Sequence, residues 1–230
     1  MSQTALLIFC NTPQKEAFEK SLHQGLGNDR PQGVQLAKAL LNRVRSIACQ
    51  SQLPVIEIDS NHQVGQSFGE RYSRAIAQVF ALGYQNVITL GSDCPGLTLQ
   101  DLREAEAALQ THAGVIGPAK DGGAYLIGLR KSAFDEDQWE NLAWQTSQNF
   151  RGLRNYFGRQ EGGFYTLARY YADLDRGKDL GHLLKELSSL HPIYRLVCIL
   201  RTRCFVSFFF IPFAWASLAP HPRRGPPLTR

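Results

Sequence analysis

Cysteine is sparse, and what there is cannot build a disulfide framework. The five residues Cys10, Cys49, Cys94, Cys198 and Cys204 are odd in number, widely spaced and include no Cys-x-x-Cys pair. The N-terminus has no basic stretch followed by an apolar run and a small-residue cleavage site, so a reducing cytoplasm is the expected compartment. There is no Gly-x-Ser-x-Gly elbow, no Walker-A loop and no Gly-x-Gly-x-x-Gly fingerprint. The six histidines are scattered and make no His-x-x-x-His zinc pattern. Cys94 could serve as a nucleophile, but no histidine lies near it in sequence, and burial is the commoner fate of a free cysteine.

Long apolar runs are also missing. The most apolar uncharged run, Cys204 to Ala219, has sixteen residues and contains Pro212. That is short of the about 20 needed to span a bilayer. Nor does the body carry a basic surplus. The net charge of +5 traces to six arginines after residue 192, and residues 1–192 carry a net of −1. No nucleic-acid footprint is expected there.

What remains is an ordinary soluble composition, 43% hydrophobic and 20% charged, long enough to bury a core without staples. Leu6-Leu7-Ile8-Phe9 reads as a buried first strand, Pro54 to Ile58 as a second, and Val87-Ile88-Thr89-Leu90 as a third. Val34, Leu36, Ala37, Leu40, Leu41 and Val44 recur at helical spacing, so a helix spans about 33 to 50. Another covers Phe68 to Leu82, with Gly83 as its stop, and Thr98 with Asp101 starts a third. Val115 to Gly117 and Ala124 to Gly128 are short strands around Asp121-Gly122-Gly123. Beyond Arg130 a helix is expected from Ser147 to Phe157, a strand within Phe164 to Ala172, and a last body helix from Lys178 to Leu190. Alternation of strands and helices implies an α/β domain over residues 1–192, with a mostly parallel sheet covered on both faces. Residues 193–230 form an extension. It begins with the helical stripe Ile193, Leu196, Val197 and Leu200, and ends Pro/Arg-rich. Weak membrane or protein contact through residues 193–219 is one expectation for it.

Four segments could carry chemistry. In Gly91-Ser92-Asp93-Cys94-Pro95 an apolar strand delivers a carboxylate at its C-terminal end, where open α/β sheets bind ligands. Asp93 is a hard oxygen ligand suited to Mg²⁺ or Mn²⁺; the alternative is an Asp that caps the next turn. In Lys120-Asp121-Gly122-Gly123, Asp121 is a candidate general base or holder of a sugar hydroxyl, and the paired glycines would let the backbone approach a ligand. The same residues also make a hairpin turn. Gln63-Val64-Gly65-Gln66-Ser67-Phe68-Gly69-Glu70-Arg71 places glycines before a helix, which suits a phosphate or base, although Arg71 reads equally as a solvated helix residue. Asp173-Leu174-Asp175 would point two carboxylates the same way in a strand, and one could join Asp93 on an ion; a solvated turn is the alternative. The candidate set is Asp121 as catalytic, Asp93 and Asp175 as metal ligands, and Gln63, Gly65, Gly69, Arg71, Ser92, Gly122 and Gly123 as ligand-binding.

In this order the segments resemble the bacterial GT-A glycosyltransferase-like family, also called the radical-SAM/selenodomain-associated transferases. The resemblance covers roughly residues 4 to 190. Trp144-x-Thr146 and Asp173-x-Asp175 continue it past Gly128. It implies a nucleotide-diphospho-sugar transferase fold, a divalent metal at Asp93, a nucleotide along the N-terminal half of the sheet, and an acceptor near Asp121 to Gly123. The chain departs from the family pattern after the first strand, where a Pro-Gly turn and a Lys-Thr-Arg-Leu run are usual. Here Glu16 takes the Gly position, and Glu19 and Ser21 take the Lys and Arg positions. An acid in place of a cation would repel a pyrophosphate by roughly 1 kcal/mol or more per contact, unless Lys15 or Lys20 compensates. Ala124 stands where a Tyr is usual. Three functions follow: a metal-dependent transferase using a nucleotide-sugar donor, a nucleotidyltransferase acting on an NTP and a phosphorylated small molecule, or a degenerate, non-catalytic nucleotide-binding or scaffold protein.

Overall fold

The computed structural model describes residues 3–209, with side chains to residue 202. Its centre is strand β1 (Thr4–Phe9), where Ala5, Leu6, Leu7 and Ile8 have no exposed surface. A strand buried on both faces must divide its side chains between two cores. Leu6 and Ile8 join the core under helix α2 (Arg30–Gln50), whereas Ala5 and Leu7 join the core on the opposite face.

Between β1 and α2 lies a short helix, α1 (Pro13–Glu19), which begins on Pro13, whose missing N–H suits a first helical turn. β2 (Val55–Ile58) follows α2, then α3 (Phe68–Ala81), β3 (Asn86–Leu90) and α4 (Leu99–Ala108). Ser67 caps α3 by accepting from the Glu70 N–H, and Thr98 with Asp101 forms a complete capping box on α4. β4 (Gly114–Pro118) and β5 (Ala124–Arg130) close a hairpin over Asp121-Gly122-Gly123. α5 (Glu136–Glu140), α6 (Asn149–Phe157), β6 (Phe164–Thr166), α7 (Leu180–Glu186) and α8 (Pro192–Phe209) complete the order.

The six strands lie as β2-β1-β3-β5-β4-β6. β1 pairs in parallel with β2 and β3, and β4 with β6; β5 alone runs against its neighbours β3 and β4. The five-residue connection between β4 and β5 forces that reversal, because parallel neighbours need a long crossover. The expected α/β class, with a mostly parallel sheet and helices on both faces, is the observed one. Residues 173 to 175, for which the sequence leaves a strand and a turn both open, are irregular; a parallel bridge from Tyr171 to Ala119 ends the pairing on that side.

The apolar stripe after residue 192 faces the body. Ile193, Val197 and Leu200 are fully buried against Leu22, Leu36, Leu40 and Leu183, and Arg201 Nε donates to the Gly25 carbonyl at 3.0 Å. Those side chains are therefore committed to the protein. No helix among the described residues is long and apolar enough to cross a membrane. The rest of the extension, from residue 210, lies outside the described residues.

Candidate functional site

The parallel strands β1 and β3 end side by side, and a cleft of about 790 Å³ opens beyond their carboxyl ends. Phe9 and Asn11 enter it from β1, Asp93 from β3, Lys20 from the end of α1, Asp121 and Gly123 from the hairpin, and Asp173 and Asp175 from the segment before α7. Of the residues singled out in the sequence, Gln63, Arg71, Ser92, Asp93, Asp121, Gly123 and Asp175 all line this one cavity.

Gly65, Gly69 and Gly122 do not line it. Gly69 is buried in α3 so close to α5 that an added Cβ would fall 2.0 Å from the Glu140 carbonyl oxygen. Gly122 takes a left-handed φ of 93°, and its Cα faces the Ser147 carbonyl oxygen, 2.3 Å from where a Cβ would stand. Gly65 turns at φ 140° against the Arg71 N–H. Each is demanded by backbone packing. Gln63 is also partly committed, since its amide nitrogen donates to the Cys10 carbonyl at 2.8 Å and ties the ends of β1 and β2.

Asp93 sits where Gly91 makes room for it: a Cβ at Gly91 would come 2.8 Å from Asp93 Oδ1. Its carbonyl accepts from the Leu174 N–H at 2.9 Å, which draws the 173–175 segment against the end of β3. Lys20 Nζ lies 2.7 Å from Asp93 Oδ2 and 2.9 Å from Glu16 Oε1. Burial works to raise the Asp93 pKa, but the Lys20 ammonium beside it prevails and holds the carboxyl below the usual range. Lys20 is raised in turn: burial opposes its charge, and Asp93 and Glu16 outweigh it.

Asp173 is the second carboxylate at this point. Its Oδ1 is buried with no hydrogen-bond partner. Burial first, then the charges of Asp93 and Asp121, push its pKa well up; a hydrogen bond from the Cys94 thiol acts the other way. Burial, then Asp173 and Asp93, likewise raise Cys94 far above an ordinary thiol. Cys94, buried and raised, is thus a thiol donor to Asp173, as expected of a buried free cysteine. Asp175 is more exposed, and burial raises its pKa while Lys20 lowers it. Asp121 is exposed and accepts from the Gly123 N–H at 2.9 Å, so the carboxylate that faces the cleft also closes the hairpin.

One wall is aromatic. Phe68 meets Phe9 edge-on at 5.7 Å and Trp144 at 5.9 Å. Two buried donors in the cleft, Arg71 Nε and Asn149 Nδ2, have no hydrogen-bond partner. The lining holds six carboxylates (Glu16, Glu19, Asp93, Asp121, Asp173, Asp175) against four basic groups (Lys15, Lys20, Arg71, Arg176).

An acid-rich cleft repels a diphosphate unless a cation enters with it. Asp173 Oδ1, buried and unpaired next to Asp93, is the kind of hard oxygen Mg²⁺ or Mn²⁺ takes, and the donor set fits such an ion. Among the described residues no group of three His, Cys, Asp or Glu side chains is placed to hold a metal ion, so an ion at Asp93 and Asp173 would need ligand or water oxygens to complete its shell.

Burying Asp173 with its Oδ1 unpaired has a measurable cost. Its pKa is raised, so the folded protein binds a proton more tightly than the unfolded chain. Stability from this group is complete below the unfolded carboxyl pKa and falls as pH rises through the folded one. Asp173→Asn is expected to stabilise the metal-free protein at pH 8 by about 1 kcal/mol, with the gain shrinking towards pH 5. Thermal unfolding in EDTA across that range tests this. A variant less stable than the parent at pH 8 would refute the unpaired-charge account.

Asp173 is the site residue that sequence reading did not single out. The signal was present in Asp173-Leu174-Asp175, but the choice between the two acids depends on which one the Asp93–Leu174 backbone bond carries inward. Asn149 gave no signal of its own.

The model of the family described as "Uncharacterized protein conserved in bacteria (DUF2064)" matches residues 5–146, and the chain belongs to that family. No curated protein matches it in sequence. Among solved structures, a candidate nucleotide-diphospho-sugar transferase from Desulfovibrio desulfuricans G20 superposes with a TM-score of 0.70 at 23% identity, over 89% of this chain and 99% of that one. A homologue of Mycobacterium tuberculosis Rv0371c from Mycobacterium sp. strain JC1 gives a TM-score of 0.50 at 14% identity, over 86% and 98%. The manganese complex of Rv0371c from M. tuberculosis H37Rv gives 0.44 at 13%, over 81% and 100%, a likeness too remote to bear on this chain's ligands. The fold is that of the nucleotide-diphospho-sugar transferases, as the resemblance in the sequence implied.

Proposed function

Taking the family and its fold as premise, we propose that the cleft binds a nucleoside-diphosphate sugar through a divalent cation and that the protein is a metal-dependent, glycosyltransferase-like transferase. The observation that carries this is the unpaired, buried Asp173 Oδ1 beside Asp93, at the carboxyl ends of the central parallel strands. In this reading Asp93 and Asp173 hold the ion, and Asp175 stands at the rim within electrostatic reach of Lys20 and Asp93. An ion held there would supply positive charge to stabilise a departing diphosphate. Arg71 Nε and Asn149 Nδ2 donate to ligand oxygens, which satisfies both buried groups. The Phe68–Trp144 wall offers an apolar face and excludes water. Asp121, anchored by the Gly123 N–H, orients an acceptor hydroxyl or takes its proton.

Glu16 and Glu19 in the lining count against a nucleotidyltransferase, whose triphosphate needs a cationic cradle. A non-catalytic binding protein is favoured by one observation, the Lys20 ammonium already seated on Asp93. Calorimetry with UDP and GDP, with and without Mn²⁺, separates the readings. Binding that requires Mn²⁺ is the expected result. Binding indifferent to the metal, or absent in both conditions, favours the non-catalytic protein.

A further inference from the structure

Lys20 is built into the cleft more firmly than a surface lysine. Its backbone N–H bonds to the Glu16 carbonyl at 3.1 Å, and its own carbonyl accepts from the Gly177 N–H at 2.8 Å, so the base of the side chain is fixed to α1 and to the segment after Asp175. The side chain is only 17% exposed. Two of the three ammonium protons are engaged, one by Asp93 Oδ2 and one by Glu16 Oε1. Glu16 is itself held, because Asn11 Nδ2 donates to Glu16 Oε2 at 2.9 Å and to Glu19 Oε2 at 3.0 Å. Glu16 is therefore a fixed partner that can keep the ammonium after Asp93 lets it go.

We propose that Lys20 is a tethered competitor of the divalent cation. In the free protein its ammonium occupies Asp93, and a metal ion displaces it onto Glu16. An ammonium and a doubly charged ion on one carboxylate repel each other, so the metal binds weakly alone. It gains when a diphosphate arrives with it and offsets the crowded positive charge. Metal loading thus becomes conditional on the nucleotide. The inference rests on the reading of Asp93 as an ion ligand given above.

The test is Mn²⁺ affinity of the full-length protein, by calorimetry or by the electron spin resonance signal of free Mn²⁺, with and without UDP. Lys20→Met is expected to raise affinity for Mn²⁺ alone by roughly tenfold or more, and to shrink the further gain that UDP gives the parent. Lys20→Arg keeps the charge and is expected to bind Mn²⁺ like the parent. Lys15→Met removes the same charge from an exposed position in the same cleft and is expected to change affinity by less than about threefold. Should Lys20→Met fold poorly, Glu16→Gln supplies the opposite sign: Lys20 then has Asp93 alone, and Mn²⁺ affinity falls. Equal Mn²⁺ affinity in the parent and Lys20→Met overturns the competitor role and leaves the metal reading standing. A rise as large in Lys15→Met as in Lys20→Met also overturns it, since the cleft's general field would then suffice. No Mn²⁺ binding by any variant, with or without UDP, overturns both.

Discussion

Asp93→Asn is expected to lower Mn²⁺-dependent nucleotide binding and donor turnover by roughly a hundredfold or more while leaving the fold intact. The side chain keeps its size, and the Leu174 N–H to Asp93 carbonyl bond that positions the neighbouring segment is a backbone contact. What disappears is the charge. A neutral carboxamide is a far weaker ligand for a hard cation. Asp173 would then face the ion alone, in a cleft that still holds Glu16, Glu19, Asp121 and Asp175 to repel a diphosphate. Lys20 would lose one partner and keep Glu16, so the melting temperature should move by only a few degrees. Calorimetry and sugar release from UDP- and GDP-sugars measure the effect. Turnover equal to the parent's in a folded variant would remove Asp93 from the metal site.

The elements that position Asp93 were legible because each leaves a local mark. Leu6 to Phe9 and Val87 to Leu90 are short apolar runs bounded by turn residues, and both are central strands. The α2 stripe from Leu36 to Val44 is buried where its 3.6-residue spacing required. Thr98 and Asp101 form their capping box even with Asp in the third position. α1 left no such mark: of its residues only Glu16 and Ala17 are buried, and Phe18 is 76% exposed, so no apolar stripe runs along it. That is why the segment read only as a run of charges, and why Lys20 could not be placed on Asp93. The glycines show the converse limit. Gly69 and Gly123 leave the same trace in a sequence, close backbone approach. Only the fold says that Gly69 approaches Glu140 and that Gly123 lines the cleft. Asp121 closes the hairpin turn and also lines the cleft, so the turn signal in the sequence and the cleft carboxylate are one residue.

Trp139 links the least legible element to the site, and Trp139→Ala is expected to cost about 3–5 kcal/mol of stability. The residue lies in the five-residue helix α5 and has no exposed surface. Its ring packs against Trp144 at 5.2 Å, Tyr156 at 5.3 Å and Phe157 at 5.9 Å, so truncation leaves a cavity bounded by rings that cannot collapse together. Against a typical total of about 5–15 kcal/mol the loss is severe, and a fall in melting temperature of roughly 10 °C is expected. Trp139→Phe should cost much less, because the buried Trp139 Nε1 has no hydrogen-bond partner to lose. The effect should reach the cleft. Trp144 Nε1 donates to the Trp139 carbonyl at 2.8 Å, and Trp144 braces Phe68 in the aromatic wall. Nucleotide affinity in the presence of Mn²⁺ should therefore fall in Trp139→Ala even below its unfolding transition. A destabilised variant that still binds UDP and Mn²⁺ like the parent would show that the wall is held from the cleft side, by Phe9 and Tyr72, and not from the core behind it.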